Sequence, residues 1–167
     1  MTEEAKYFWN NLLSFSSNTA LVDTSVNKSI DYSELENECK NLSEKIKLPG
    51  KGLIFLFTAN SSESVITYIA SLKSGNSILL LDEKLNDEIR NDLINNYLPD
   101  LVITSNGQAP NNYQLNFKYE SLFFFKRNVN NGSKILTDLA VLLSTSGTTG
   151  SPKLVKLSYK NIQSNAD

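Results

Sequence analysis

Residues 52–82 read GLIFLFTANSSESVITYIASLKSGNSILLLD, and this stretch decides the fold. GLIFLFTA is a continuous apolar run with no polar alternation, the pattern of a strand covered on both faces, as in a parallel sheet. SSESVITYIASLKSG then places Val65, Ile66, Ile69 and Leu72 on one side of a helix that Gly75 stops. SILLLD is a second buried strand. Strand, helix, strand in about thirty residues is a parallel β-α-β unit with a right-handed crossover.

The pattern continues downstream. NDEIRNDLINNYL predicts a helix ended by Pro99, DLVITS a third buried strand, YQLNFKY and SLFFFKR two short strands, and DLAVLL another buried strand. NVNNGSK, residues 128–134, reads as a polar surface loop. Upstream, residues 3–15 carry apolar positions 8, 9, 12, 13 and 15, spaced for an amphipathic helix with Tyr7, Phe8, Trp9 and Phe15 as core contacts. TALVDTSVNKSIDY predicts a hairpin turning at Thr24-Ser25-Val26-Asn27. Ser33 followed by Glu36 predicts a capping box, with a helix running to about Lys47 before Pro49-Gly50. The expected fold is therefore α/β: a mostly parallel sheet flanked by helices, with a small N-terminal hairpin.

Composition narrows the chemistry. A chain of 167 residues that is 40% hydrophobic is long enough for one real core. It has no histidine, which excludes Ser/His and Cys/His catalysis within these residues and removes the commonest zinc ligand. Its single cysteine, Cys39, can form no internal disulfide, and its place in a helical pattern predicts a packed thiol in a reducing, cytoplasmic setting. A net charge of -2 gives no basic footprint for nucleic acid. The N-terminus is acidic where a secretory signal would be basic, and the longest apolar runs are strand-sized, so no membrane span is expected.

The remaining feature is LLSTSGTTGSPKL, residues 142–154. As the loop leaving a strand's carboxyl end, it lies where open α/β sheets bind ligands. Gly147 and Gly150 permit close backbone approach, and successive N–H groups can converge on an anion. The hydroxyls of Ser144, Thr145, Ser146, Thr148, Thr149 and Ser151 add donors, and Lys153 adds the one positive charge. A lysine about 4 Å from a phosphate gains about 4 kcal/mol at an effective dielectric near 20, before desolvation. The order GxxxxGK[ST] is absent, because Pro152 stands where the second glycine belongs, and GxGxxG is absent too. On composition alone the loop is either a flexible turn or an anion nest.

The order of its residues adds to this. TSGTTGSPK closely resembles the phosphate-loop signature of the adenylate-forming enzymes: acyl-CoA synthetases, nonribosomal peptide synthetase adenylation domains and luciferase-like ligases. IDYSELENE resembles that family's early Y-x-EL segment, and LKSGNSILLLDEKL its LKAG segment, in the same order. The resemblance implies that residues 1–167 are the opening part of the large N-terminal AMP-binding domain. It implies an ATP-dependent ligase that forms an acyl-adenylate and pyrophosphate, then passes the acyl group to a thiol. The phosphate-binding positions it implies are Thr145, Ser146, Gly147, Thr148, Thr149, Gly150 and Lys153.

ATP and Mg2+ are the implied cofactors, with the metal ligand and the catalytic residues expected beyond residue 167. The implied partners are a small carboxylic or amino acid and the thiol of coenzyme A or a carrier protein. One departure stands out, because Leu154 follows Pro-Lys where the family has glycine. VKLSYKNIQSNA after it reads as a strand and a helix with no C-terminal cap, as if the chain were cut within it. The fragment alone is expected to be inactive, and a non-catalytic nucleotide-binding module or a degenerate relative is the alternative.

Overall fold

The computed structural model describes residues 7–129, 135–144 and 153–166. Two short strands, β1 (Thr19–Asp23) and β2 (Lys28–Asp31), pair antiparallel as the expected hairpin. Helix α1 (Tyr32–Lys45) follows, then β3 (Leu53–Thr58), α2 (Ser62–Lys73), β4 (Ser77–Asp82), α3 (Asp87–Tyr97) and β5 (Leu101–Thr104). Strands β6 (Tyr113–Tyr119), β7 (Leu122–Arg127), β8 (Leu139–Ser144) and β9 (Leu154–Ser158) precede a last short helix, α4 (Tyr159–Ser164).

The large sheet has the order β6-β7-β5-β3-β4-β8-β9. Its centre, β5-β3-β4-β8, is parallel, while β7, β6 and β9 add antiparallel edges. Phe55 and Phe57 of β3 point into one core with Leu93 and Ile94 of α3. Ile54 and Leu56 enter the other, with Leu35, Cys39 and Leu42 of α1 and Ile66, Ile69 and Leu72 of α2. This two-sided burial is the physical reason GLIFLF shows no alternation.

The connection through α2 carries the chain from β3 to β4 on one side. The connection through α3 carries it back past β3 to β5. Two crossovers of one hand that run in opposite directions must use opposite faces of the sheet, which is where α2 and α3 are found.

Several local expectations are corrected. Among the described residues the first segment is not one α-helix but two 3-10 turns, Phe8–Asn10 and Leu12–Phe15, broken at Asn11, whose φ of -120° and ψ of 19° are not helical. Trp9 is buried and Tyr7 and Phe8 half-buried, but Phe15 is exposed. Helix α1 is capped by Asp31, not Ser33: the Asp31 carboxylate accepts from the Glu34 N–H at 2.7 Å. Glu36 does not reach back to close a box, because it accepts from Lys73 of α2 at 2.9 Å across the helix pair. Helix α4 ends at Ser164, where the Asn165 N–H bonds back to Ile162, so it closes before the last residue.

The amino ends of the strands are knit by buried polar groups. The Asn76 side chain accepts from the Gly52 N–H at 3.0 Å and donates to Ile46 O and Ser74 Oγ. Asp100 accepts from the Leu53 N–H at 2.9 Å and from Arg127 at 3.2 Å. A Cβ at Gly52 would meet Leu48 Cδ1 at 2.1 Å and Asp100 Oδ2 at 2.9 Å, so any other residue here would have to displace those side chains.

Candidate functional site

The four parallel strands all end in a small polar residue on the same edge. Across the sheet these are Thr104, Thr58, Asp82 and Ser144, closing the apolar runs LVIT, LIFLFT, SILLLD and LAVLLS. Strand β3 leaves this edge toward one face and β4 toward the other, so their carboxyl ends flank a crevice of the kind that binds ligands in open α/β sheets.

A cavity of about 580 Å³ opens at this edge on the α2 side, between the hairpin and the β3-α2 turn. Leu21, Leu56, Val65, Tyr68 and Leu80 supply apolar walls, and Thr58, Ser61 and Ser62 supply hydroxyls. Asp23 fixes the floor: its carboxylate accepts from Ser25 Oγ at 2.5 Å, the Ser25 N–H at 3.1 Å and the Ser62 N–H at 2.9 Å. The Ser25 hydroxyl, helped by the Ser62 N–H, holds its pKa down to about 2. Ser62 opens α2, so Asp23 already satisfies the positive end of that helix. Ser61 caps the same helix, and Ser64 bonds to both Ser61 Oγ and Thr58 Oγ1.

On the α3 side of the edge, the Arg90 guanidinium lies 4.5 Å over the Phe57 ring and donates to Glu83 O at 2.7 Å. A smaller cavity of about 180 Å³ adjoins it, bounded by Thr104, Asn106 and Gln108.

Strands β8 and β9 pair antiparallel with Ser144 opposite Leu154. The residues that flank segment 145–153, Ser144 and Leu154, are thereby held at the carboxyl edge, one strand beyond β4. Of the predicted phosphate-binding residues, Lys153 is exposed immediately before β9. Thr145, Ser146, Gly147, Thr148, Thr149 and Gly150 lie outside the described residues. Leu154 is half-buried against the core formed by Leu139 and Leu142.

The AMP-binding enzyme family matches residues 8–167. The chain belongs to this family. Solved structures of similar fold include the N-terminal subdomain of NpsA from Klebsiella oxytoca in complex with 3-hydroxybenzoyl-AMSN, at 20% identity and a TM-score of 0.65. That match covers 91% of this chain and 40% of NpsA. Apo MatB from Rhodopseudomonas palustris matches at 18% identity and a TM-score of 0.66, covering 96% and 36% of the two chains. The luciferase-like enzyme of the nonluminescent mealworm Zophobas morio matches at 18% identity and 0.64, covering 91% and 41%. No curated protein sequence matches significantly. At these identities the structural likeness speaks for the fold, and the chain spans about two-fifths of the length of these relatives.

For a member of this family, two sets of edge residues escape motif reading. Asp23 sits in a hairpin turn and becomes relevant only when the fold brings it to Ser62, 39 positions later. Arg90 is one charge on a polar helix face until Phe57 is placed beneath it. The pattern TANSSES, small and hydroxyl-rich directly after a buried strand, is the one local signal of the β3-α2 turn. Among the described residues no group of three His, Cys, Asp or Glu could hold a metal ion, and no helix is long and apolar enough to cross a membrane.

Proposed function

We propose that the chain is the N-terminal part of an ATP-dependent ligase that activates a carboxylic acid as its acyl-adenylate, releases pyrophosphate and passes the acyl group to a thiol. The observation that carries this reading is the in-register pairing of Ser144 with Leu154, which brings both ends of STSGTTGSPK to the ligand-binding edge of the sheet. Family membership supports it, as does the fold shared with an NpsA subdomain that binds 3-hydroxybenzoyl-AMSN.

In this reading Thr145, Ser146, Thr148 and Thr149 donate hydroxyl hydrogen bonds to the β- and γ-phosphates of ATP. Gly147 and Gly150 let backbone N–H groups approach the same oxygens, and Lys153 neutralises charge. Expulsion of pyrophosphate needs positioning and charge stabilisation more than a protein nucleophile, so a chain without histidine suits it. Mg2+ fits a site built on phosphate oxygens, with its protein ligand supplied from outside these residues. The acid is a small carboxylic or amino acid, and the acceptor thiol belongs to coenzyme A or a carrier protein. The free, buried Cys39 suits a reducing cytoplasm.

The test is carboxylate-dependent exchange of pyrophosphate into ATP. The 167-residue chain is expected to be inactive and a longer form, carrying the C-terminal segments of its relatives, active. A longer form that neither exchanges nor binds ATP sinks the reading. Leu154 favours a second reading, a non-catalytic nucleotide-binding relative, because a β-strand side chain packed on the core stands where the family has glycine. ATP binding without exchange in the longer form, weakened by Lys153→Ala, selects it.

A further inference from the structure

The opposite edge of the sheet carries a lysine that the phosphate loop does not use. Lys51 lies two residues before β3, and the six residues of that strand separate it from the carboxyl edge by about 20 Å. Its Nζ donates to Thr137 O at 3.0 Å and to Tyr159 Oη at 3.0 Å, and it lies 4.3 Å from the centre of the Tyr159 ring. Tyr159 Oη in turn donates to Asn76 O at 3.3 Å, which fixes the ring.

Lys51 lines a cavity of about 520 Å³ with Tyr7, Trp9, Leu72 and Tyr159. The Tyr7 and Trp9 rings stack at 4.6 Å, and Tyr159 tilts against Trp9 at 5.9 Å, giving an aromatic wall beside the amine. A neutral amine keeps two N–H bonds, enough for Thr137 and Tyr159. The third position, a proton in the ammonium and a lone pair in the amine, is left for the cavity.

We propose that Lys51 is a site of covalent acylation, its amine taking an acyl group from a thioester whose aryl or apolar chain rests against Tyr7, Trp9 and Tyr159. The nitrogen lone pair attacks the thioester carbonyl carbon, the C–S bond breaks, and the thiolate leaves with the bonding pair. The proton lost by nitrogen goes to that thiolate, so an amide and a thiol form with no change in oxidation state. The amide nitrogen has one N–H, so acylation costs one of the two hydrogen bonds and the cation–π contact. The modification thus loosens the tie between β3, the segment before β8 and α4.

Burial lowers the Lys51 pKa to about 8, against the opposing pull of the Asp138 carboxylate. The other groups facing it are Lys73, held by Glu36 at 2.9 Å, and the phenols of Tyr7 and Tyr159; burial pushes that of Tyr159 up to about 12. At about pH 7.5 a pKa near 8 leaves roughly a quarter of the lysine neutral, against roughly 0.1% for a free lysine.

The inference is independent of the phosphate loop. Its test is incubation of the chain with the S-benzoyl thioester of N-acetylcysteamine, followed by peptide mass spectrometry, with the exposed Lys40, Lys84 and Lys160 as internal references. Lys51 is expected to react about tenfold faster than these at about pH 7.5, with a rate that levels above a midpoint near 8. Because removing the buried Trp9 endangers the fold, the wall is tested with Tyr7→Leu, which should narrow the preference for benzoyl over acetyl thioester. Reaction no faster than at the reference lysines overturns the proposal, as does a Lys51 rate that climbs without levelling beyond about pH 9.5. A benzoyl preference identical in Tyr7→Leu overturns the role of the aromatic wall.

Discussion

Ser144 and Leu154 stand opposite each other in the β8-β9 pair, one closing the apolar run LAVLLS and the other opening LVKLS. Ser144 is exposed and Leu154 is half-buried, so the second foot of the intervening segment is anchored by packing as well as by the ladder. Restoring the family's residue with Leu154→Gly therefore removes half a leucine's burial and adds strand entropy. About 2 kcal/mol of stability should be lost, read as a lower urea midpoint at unchanged slope. An unchanged midpoint would show that Leu154 contributes nothing as an anchor.

Lys153, next to it, is exposed and precedes the strand, so Lys153→Ala should leave the unfolding free energy from urea titration within about 0.5 kcal/mol of wild type. If the segment binds ATP phosphates, the same change should weaken ATP by about tenfold to a hundredfold, the worth of a charge-assisted bond. Calorimetric titration in a longer form checks this, and equal affinities would remove Lys153 from the site.

The buried pair of Arg127 and Asp100 lies at the other end of the sheet, with side-chain exposures of 6% and 12%. Asp100 also accepts from the Leu53 N–H, and Tyr113 Oη, on the neighbouring edge strand, donates to Pro99 O at 2.6 Å. Arg127→Met should destabilise by about 3 kcal/mol or more, because it strands a carboxylate in the core. Adding Asp100→Asn should recover part of that loss, and a double mutant as unstable as the sum of the singles would refute the coupling.

How much of this could be read from the sequence depends on how local each cause is. The central strands were legible because LIFLFT and SILLLD are buried on both faces, and α2 because Ile66, Ile69 and Leu72 share one side. The antiparallel edges were not: YQLNFKY and SLFFFKR announce strands, but only pairing of Val102 with Phe125 sets their direction. The N-cap of α1 falls at Asp31 and not at Ser33, and Glu36, which a box at Ser33 would need, is held instead by Lys73, 37 residues away in the chain. For the site, the order TSGTTGSPK resembles the family's phosphate-loop signature without reference to any fold, and this is the basis on which that role is proposed. Asp23 and Lys51 were invisible because their partners, Ser62, Thr137 and Tyr159, are distant in the chain.

Cys39 is fully buried, its thiol donating to Ile66 O at 3.7 Å, and burial pushes its pKa up to about 12. Thiolate is the reactive species, so the native chain should resist iodoacetamide at about pH 8 and react fully once unfolded in urea. Rapid native alkylation would mean that α1 and α2 separate readily.

Asp23 gives the pH dependence with the clearest sign. Its folded pKa of about 2 lies below the ordinary aspartate value of 3.8, so the folded state holds the carboxylate ionised where the unfolded chain would take a proton. Its contribution is therefore fully present above about pH 4 and is lost as pH falls toward 2. Asp23→Asn removes the titrating group, and its amide cannot accept from Ser25 and Ser62 at both oxygens. The variant should be less stable at neutral pH, and its stability gap to wild type should shrink between about pH 4 and pH 2. Other carboxylates titrate in both proteins, so the gap isolates Asp23. A gap that stays constant over this range would mean that the contacts of Asp23 with Ser25 and Ser62 do not depend on its charge.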